Sequence, residues 1–346
     1  MNRLLKVTKR TLIFVLILGI VLEALTLIIR YPNPIASIRL GLAPASKTPT
    51  LMPAHTIEPA TSPIMLPTGN EAAPKSVNFQ GKEISWTEFL DKSHTNAFLI
   101  LRNGVLTYQY YRDGFTPTTR LPSYSVGKTM TSIMIGQLVA SGKIKESDTF
   151  VNFFPEFKTG GTFDQITIQQ LLDMQGGVGV SDNYPTGPQG WGVAIAQMYA
   201  TTDINFFLKH NRKMAFTPGT KSIYRSVDVQ MLGMIIKKVT GMRVADYFSK
   251  NVWQPVGALT PATWNVDRIG GTEKTFCCFN AAAPDYAKVG LMILNNGMTG
   301  DKRIISTDWV KRITTPVEKL DGWGYGALTW HPFEGTSMMD GLHGQY

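Results

Sequence analysis

Cysteine is scarce in this sequence of 346 residues: there are two, and they are neighbours, Cys277 and Cys278. Small secreted domains that cannot build a sufficient core depend on several disulfides between distant cysteines, and two adjacent cysteines cannot supply such a framework. The folded part of the chain must therefore rest on its hydrophobic core. With 43% hydrophobic and only 17% charged residues, the composition predicts a globular protein and excludes general disorder.

Metal-ligand spacings are also missing. The five histidines are scattered, without the H-x-x-x-H or C-x-x-C spacing that zinc sites use; they are His55, His94, His210, His331 and His343. We therefore expect no metal and no cofactor.

The net charge of +9 is typical of nucleic-acid binders, but four basic residues, Arg3, Lys6, Lys9 and Arg10, crowd ahead of the apolar run Thr11–Ile29. This run is close to the ~20 residues that a helix needs to cross a bilayer, and a small-residue cleavage site is lacking. We predict an uncleaved anchor over residues 1–30 and no nucleic-acid partner. The basic cluster stays in the cytoplasm, so the rest of the chain lies on the exported, periplasmic side of the inner membrane.

Residues 31–75 contain nine prolines, separated mainly by serine, threonine and alanine. Proline removes backbone donors and stiffens a chain. We therefore predict a linker that holds the catalytic domain away from the lipid and has no core of its own. The domain itself is expected to cover residues 76–346.

Two strand-like runs open the folded part, at 97–101 and 105–111, and the Asn103-Gly104 pair between them predicts a hairpin turn. Apolar residues at helical spacing predict helices over 126–140 and 227–239, with shorter ones at 168–174, 244–248 and 284–294. Strands at the ends and helices in the middle indicate an α+β fold, an antiparallel sheet flanked by helices with a helical insertion domain.

Residues 123–129 read SYSVGKT and place an S-x-x-K pattern, Ser125 and Lys128, at the start of a helix. Three residues along a helix put both side chains on one face, where a partly buried lysine can take the serine proton. The alternative is a capping serine with a solvated lysine. Two rival motifs are excluded, because Pro122 stands where a phosphate-binding loop has its first glycine, and Ser123 where a nucleophile elbow has one.

A proline-glycine turn leads into Tyr224-Arg225-Ser226 and a further helix. This stretch resembles the second motif, normally Tyr-x-Asn, of the penicillin-recognising family that includes class C β-lactamases. The resemblance continues through residues 253–258, WQPVGA, and 285–290, DYAKVG, and covers roughly residues 95–346. WQPVGA and Ser226 are more similar to the 6-aminohexanoate-dimer hydrolase branch than to true β-lactamases.

The resemblance implies a serine hydrolase that forms an acyl-enzyme on a small ester or amide. Ser125 would be the nucleophile, Lys128 the general base and Tyr224 a general acid or base. The third motif would fall in residues 341–346, where Gly344 and Gln345 match the branch best. Together with Ser226 and Tyr346 they form the expected substrate and oxyanion region, with Tyr346 as the candidate for the second oxyanion donor. The family's fold continues beyond this strand, so we expect its C-terminal part to be missing.

Two alternatives belong to other classes. One is a catalytically impaired, membrane-anchored penicillin-binding or sensor-type protein, which the Ser226 substitution and the early C-terminus favour. The other is a structural membrane-tethered protein with a decayed site. The loop over residues 176–192 is expected to govern the choice of substrate, for which no general code exists.

Overall fold

The computed structural model describes residues 2–44, 46–183 and 194–346. Its helices are α1 (Asn2–Ile28), α2 (Pro34–Leu42), α3 (Trp86–Lys92), α4 (Val126–Ala140), α5 (Phe150–Phe153), α6 (Ile168–Leu172), α7 (Ala194–Ala200), α8 (Ile204–His210), α9 (Ser226–Thr240), α10 (Val244–Phe248), α11 (Ala283–Leu294) and α12 (Thr307–Thr314). Its strands are β1 (Ala54–Ile57), β2 (Ser76–Phe79), β3 (Lys82–Ser85), β4 (Ala97–Arg102), β5 (Val105–Tyr111), β6 (Arg120–Pro122), β7 (Ala262–Asn265), β8 (Phe279–Ala282), β9 (Met298–Thr299), β10 (Lys302–Arg303), β11 (Glu318–Leu320), β12 (Trp323–Gly326) and β13 (Thr329–His331).

A four-stranded antiparallel sheet in the order β1-β7-β8-β6 forms the centre of the fold. Helices α4 to α10 lie between β6 and β7 in the chain. The remaining strands form a three-stranded antiparallel sheet, β11-β12-β13, and three separate hairpins. Antiparallel sheets combined with a helical insertion confirm the predicted α+β class.

The predicted hairpin is present, since β4 and β5 pair antiparallel across Asn103 and Gly104. Both turn residues have positive φ, 49° and 81° respectively. A two-residue hairpin turn of this kind needs left-handed backbone at both positions, which asparagine and glycine tolerate best.

The predicted helices are also confirmed, and their ends differ from the expected ones by no more than two residues. α4 and α10 have the predicted bounds, and α6 ends at Leu172 rather than Met174. The apolar residues that predicted α4 are at most 1% exposed; they are Met130, Ile133, Met134 and Leu138. α4 packs against α9 on one side and α12 on another, so the helix that starts at the S-x-x-K pattern runs through the core.

Part of the segment predicted as a spacer, residues 31–75, packs against the folded domain. Residues 54–57 form β1, which pairs with β7 at the edge of the central sheet. Alternate residues of β1 are buried, and Ile57 is fully inside the core. Thr48 is buried too. β1 packs on the fold because the Ile57 side chain gains by leaving water and because the other buried residue of the strand, His55, has a partner inside, with its Nδ1 2.7 Å from Glu273 Oε1. The division of the chain into anchor, linker and domain stays a prediction.

Within α1, the stretch Val7–Ile28 is long and apolar enough to cross a membrane, with a mean hydropathy of 2.7. None of it is buried against the rest of the protein. The chain just after α1 contacts the domain, since the Arg30 carbonyl accepts hydrogen bonds from Thr201 Oγ1 at 3.0 Å and from the Thr202 nitrogen at 2.8 Å.

The two cysteines form a disulfide with each other, Cys277 to Cys278. Both are buried, in the segment that leads into β8. A bond between neighbours closes no long loop and therefore constrains the unfolded chain little. The stability of the fold accordingly rests on its core, as the composition predicted.

Candidate active site

A short turn carries the predicted nucleophile from the central sheet into the core helix. β6 ends at Pro122 and α4 begins at Val126. Between them Tyr124 has φ +44°, a left-handed conformation that costs a bulky residue about 1–3 kcal/mol and persists only where the surroundings impose it. Its hydroxyl lies 3.2 Å from Thr48 Oγ1. The strained turn is thus tied to the segment that precedes β1.

Ser125 occupies the N-cap position of α4, but its side chain makes no capping hydrogen bond. Its Oγ instead accepts a hydrogen bond from Lys128 Nζ at 3.0 Å. The capping-serine alternative is therefore wrong for this residue. The N-terminus of α4 also brings backbone N–H groups and the positive end of the helix dipole to the serine, which suits a developing oxyanion.

Lys128 is 2% exposed, so the alternative of a solvated lysine is wrong as well. Its Nζ donates to three acceptors: Ser125 Oγ at 3.0 Å, Ser226 Oγ at 3.0 Å and the Phe276 carbonyl oxygen at 2.5 Å. Burial lowers the pKa of Lys128 to about 8, and the negative charge of Asp182 partly offsets this by raising the same pKa. A lysine with this pKa exchanges a proton near neutral pH.

Tyr224 lies beside the same lysine. Lys128 Nζ is 5.0 Å from the centre of the Tyr224 ring, on its face. The ring stacks on Trp330 of β13, with centroids 5.6 Å apart and planes inclined by 20°. Tyr224 is thus held between the C-terminal sheet and the buried ammonium. The three predicted catalytic residues therefore meet in one place, although 96 positions separate Lys128 from Tyr224 in the chain.

Ser226 is the first residue of α9 and is buried. Its Oγ accepts from Lys128 and donates to Asp182 Oδ2 at 2.5 Å, while its backbone nitrogen donates to Asp182 Oδ1 at 2.8 Å. Sequence reasoning did not single out Asp182. The only signal was its place in the loop expected to govern substrate choice, of which residues 184–192 lie outside the described part of the chain.

The buried side chains of Arg225 and Asp228 hold the described part of this loop, residues 176–183, in place. Arg225 Nη1 donates to the Val180 carbonyl at 2.9 Å, and Asp228 accepts from the Gly176 nitrogen at 3.1 Å. Burial raises the pKa of Asp228 to about 8. Arg225 is the N-cap residue of α9 and Asp228 lies in its first turn, so residues 176–182 are bound to the start of that helix.

The C-terminal segment folds back as a tight turn, in which Gly341 and Gln345 exchange two backbone hydrogen bonds of 2.8 and 3.1 Å. A Cβ at Gly341 would overlap the Ser123 carbonyl oxygen and lie 3.2 Å from the Ser125 nitrogen. Next to it, the His343 ring meets the Tyr124 ring edge to face, with centroids 5.0 Å apart. The turn thus rests directly on the nucleophile loop.

Of the residues predicted for the oxyanion region, Gly344 and Gln345 lie in this turn, and Tyr346 is 82% exposed. The residue of this turn that lies against the nucleophile loop is Gly341, where an added Cβ would come within 3.2 Å of the Ser125 nitrogen. The prediction for Tyr346 as an oxyanion donor stays untested. Glycine is the residue that allows two backbone segments to approach this closely. Gly341 was therefore a sequence signal for the contact, and the motif analysis did not use it.

The arrangement combines a hydroxyl, a buried amine of lowered pKa in contact with it, a phenol beside the amine and a helix N-terminus beneath the hydroxyl. These are the parts that activation of a serine for attack on a carbonyl requires.

Known proteins share this chain's sequence pattern and fold. It is 29% identical over 233 residues to 6-aminohexanoate-dimer hydrolase of Paenarthrobacter ureafaciens, a match over 65% of this chain and 58% of that protein. The chain thus spans less than two thirds of the length of this relative.

The fold is that of a solved protein described as "Putative 6-aminohexanoate-dimer hydrolase from Bacillus anthracis", with a TM-score of 0.76 and 21% identity over 90% of this chain and 84% of the other. A penicillin-binding protein homologue from Pyrococcus abyssi shares it at a TM-score of 0.55 and 20% identity, over 72% of this chain and 65% of that one. The family model described as Beta-lactamase matches residues 89–327, which include Ser125, Lys128 and Tyr224. The chain therefore belongs to the beta-lactamase family, whose members are hydrolases of this fold.

Proposed function

We propose that the chain is a serine hydrolase that cleaves a small ester or amide through an acyl-enzyme on Ser125. One observation carries the proposal: Lys128 Nζ is buried, has a pKa lowered to about 8 and lies 3.0 Å from Ser125 Oγ. A serine hydroxyl is a poor nucleophile until a neighbouring base takes its proton, and a neutral lysine at this distance can do so.

In the first half of the reaction, the neutral amine of Lys128 accepts the Ser125 proton while Oγ bonds to the substrate carbonyl carbon. The oxyanion that forms is stabilised by the backbone N–H of Ser125 at the start of α4, with a second donor from the C-terminal turn. When the tetrahedral intermediate collapses, the bond to the leaving alcohol or amine breaks. The leaving group takes a proton from the pair of Lys128 and Tyr224, and an ester on Ser125 remains.

In the second half, the same pair removes a proton from water as it attacks the ester carbonyl. The bond to Ser125 Oγ then breaks, and Oγ recovers its proton from Lys128. The net reaction consumes one water and releases an acid and an alcohol or amine. The name of the Paenarthrobacter relative makes the 6-aminohexanoate dimer the first amide substrate to test.

The proposal also concerns location. The apolar stretch Val7–Ile28 would hold the protein in the inner membrane, with the basic residues before it in the cytoplasm and the hydrolase on the exported side. The Cys277–Cys278 disulfide is in keeping with an oxidising compartment.

The test compares the wild type with Ser125→Ala and with Ser132→Ala as a matched control. Ser132 lies on the same helix and is fully buried, and its Oγ has no hydrogen-bond partner among the described residues. Hydrolysis of a p-nitrophenyl ester is measured together with labelling by a fluorophosphonate, and the labelled peptide is identified by mass spectrometry. We expect label on Ser125 and turnover in the wild type and in Ser132→Ala, and neither in Ser125→Ala. Labelling of Ser125 without turnover on any ester or amide would favour the sensor-type alternative, and absence of label would refute the nucleophile.

A further inference from the structure

The carboxylate of Asp182 lies next to the proposed catalytic group and, in the described part of the chain, makes no hydrogen bond to Ser125. It meets the side chain and the backbone of Ser226 at once, with distances of 2.5 Å to Oγ and 2.8 Å to the nitrogen. An ionised carboxylate only accepts hydrogen bonds, and an oxygen-to-oxygen distance near 2.5–2.7 Å is typical of a hydroxyl that donates to a carboxylate. The single hydroxyl proton of Ser226 is therefore committed to Asp182.

This commitment decides what Ser226 offers to Lys128. A serine hydroxyl has one proton and two lone pairs. With its proton directed to Asp182, the Ser226 oxygen presents only lone pairs to Lys128 Nζ, 3.0 Å away. The Phe276 carbonyl oxygen, 2.5 Å from the same nitrogen, can never donate. Two of the three neighbours of Lys128 are thus obligate acceptors, and Ser125 is the neighbour that can donate.

A count of hydrogens at Lys128 gives the consequence. The ammonium form has three N–H groups and satisfies all three neighbours. The neutral amine has two N–H groups and one lone pair. Since Ser226 and Phe276 each require an N–H, the lone pair is left facing the Ser125 hydroxyl, which is the orientation that a base needs.

We propose that Asp182 is a positioning residue that holds the Ser226 proton and thereby directs the lone pair of neutral Lys128 at Ser125. This inference rests on the proposed function, because it assigns a role within that reaction. In the described part of the chain Asp182 accepts hydrogen bonds from Ser226 and none from Ser125, so it acts on the nucleophile through Ser226.

The same carboxylate also affects proton affinity. Burial lowers the pKa of Lys128, and the negative charge of Asp182 raises it by a smaller amount. Burial raises the pKa of Asp182 itself, while Lys128, the hydrogen bonds from Ser226 and the charge of Arg225 oppose that rise. Among the described residues, the rings of Tyr224 and Phe276 face Lys128, and the side chains of Asp228 and Tyr325 interact with Asp182 electrostatically.

Asp182→Asn tests both effects in one variant. An amide nitrogen opposite Ser226 Oγ donates to it, so the Ser226 proton is free to turn towards the lone pair of Lys128 and compete with Ser125. We expect kcat to fall by about 10-fold to 10²-fold, part of the usual contribution of a general base. Because the negative charge that favours the ammonium is lost, the rise of kcat/KM with pH should shift to lower pH. Asp182→Glu, which keeps an acceptor-only carboxylate, should retain more of the turnover than Asp182→Asn.

A matched control is Asp301→Asn, which removes one exposed carboxylate in the turn between β9 and β10. It should leave both kcat and the pH profile as in the wild type. Ser226→Ala supplies the second control, since it removes the link through which Asp182 acts. Adding Asp182→Asn to Ser226→Ala should lower kcat by much less than Asp182→Asn does in the wild type.

The outcomes separate this inference from the proposed function. Wild-type protein that is not labelled on Ser125 would refute the proposed function first. If the wild type is labelled and turns over, an unchanged kcat and pH profile in Asp182→Asn would overturn the positioning role. A fall in activity that follows only a fall in thermal midpoint, with the pH profile unmoved, would also overturn it, because a purely structural carboxylate would behave in that way. Lower kcat with the profile shifted to lower pH supports it.

Discussion

Lys128 Nζ lies 3.0 Å from Ser125 Oγ and is closed off from solvent on its other sides. Burial makes the charged form of a lysine costly when no carboxylate is in direct contact with it. Among the described residues Lys128 has no such contact, and burial lowers its pKa to about 8. The same burial holds the amine in the one direction in which the serine proton can be taken. Position and proton affinity thus have a common cause, which is the passage of α4 through the core.

Activity should depend on pH through Lys128. The active form is the neutral amine, whose fraction grows as pH rises through its pKa of about 8. We expect kcat/KM for a neutral ester to rise with pH and to level off above about 8, rather than to keep rising towards 10.5, the ordinary lysine value. The measurement is a pH profile of kcat/KM on a substrate without titrating groups. A profile flat between pH 6 and pH 9 would remove Lys128 as the base.

Tyr224→Phe should lower turnover without lowering stability. The ring keeps its stacking on Trp330 at 5.6 Å and its place beside Lys128, whereas the proton carrier is lost. The expected fall in kcat is about 10²-fold to 10⁴-fold, the usual range for a general acid or base. Thermal midpoint and kcat are measured on the same samples.

Lys128→Ala should be at least as damaging to kcat as Tyr224→Phe. Because the two groups act as one unit, the double variant should lose far less than the product of the two single losses. An unchanged midpoint with unchanged kcat in Tyr224→Phe would exclude Tyr224 from the mechanism.

Gly341→Ala should disturb the nucleophile loop. A Cβ at this position would overlap the Ser123 carbonyl oxygen and press on the Ser125 nitrogen, so the C-terminal turn or the loop must move. We expect slower fluorophosphonate labelling of Ser125 and at least a 10-fold loss of kcat, since small misplacements of reacting groups carry losses up to about 10²-fold.

Gly290→Ala is the matched control for this change. Gly290 lies within α11, and a Cβ there meets no atom within 4 Å. Alanine should be tolerated or slightly stabilising at such a helical site. Equal labelling rates in the wild type and in Gly341→Ala would show that the C-terminal turn does not support the nucleophile.

Removal of residues 1–30 should release the protein from membranes. The apolar side chains of Val7–Ile28 face away from the rest of the protein, so the deletion costs the domain the two hydrogen bonds to the Arg30 carbonyl but leaves its hydrophobic core intact. We expect the full chain in the membrane fraction and the shortened chain in the soluble fraction, with the same kcat. Protease added outside spheroplasts should cleave the full chain. A protected domain would reverse the predicted topology.

Local patterns in the sequence determined much of this protein. Apolar spacing at 126–140 and 244–248 predicted two helices with their observed bounds, because a helix that runs through or along a core needs buried residues at a fixed period. The Asn103-Gly104 turn was predictable for a similar reason, since two residues alone set its backbone geometry. The spacing of Ser125 and Lys128 within one helical turn is local as well.

Only the tertiary structure decided which distant groups surround that pair. Asp182 meets Ser226 across 44 positions and the Phe276 carbonyl meets Lys128 across 148, and neither contact follows from any periodicity. β1 likewise joined the central sheet from a proline-rich segment whose composition predicted a spacer. Composition and the spacing of apolar residues reflect local conformational preferences. These contacts depend instead on how whole helices and strands pack against each other. Side chains from separate elements meet only after the core has placed them, so the orientation of the Lys128 amine was a property of the folded chain.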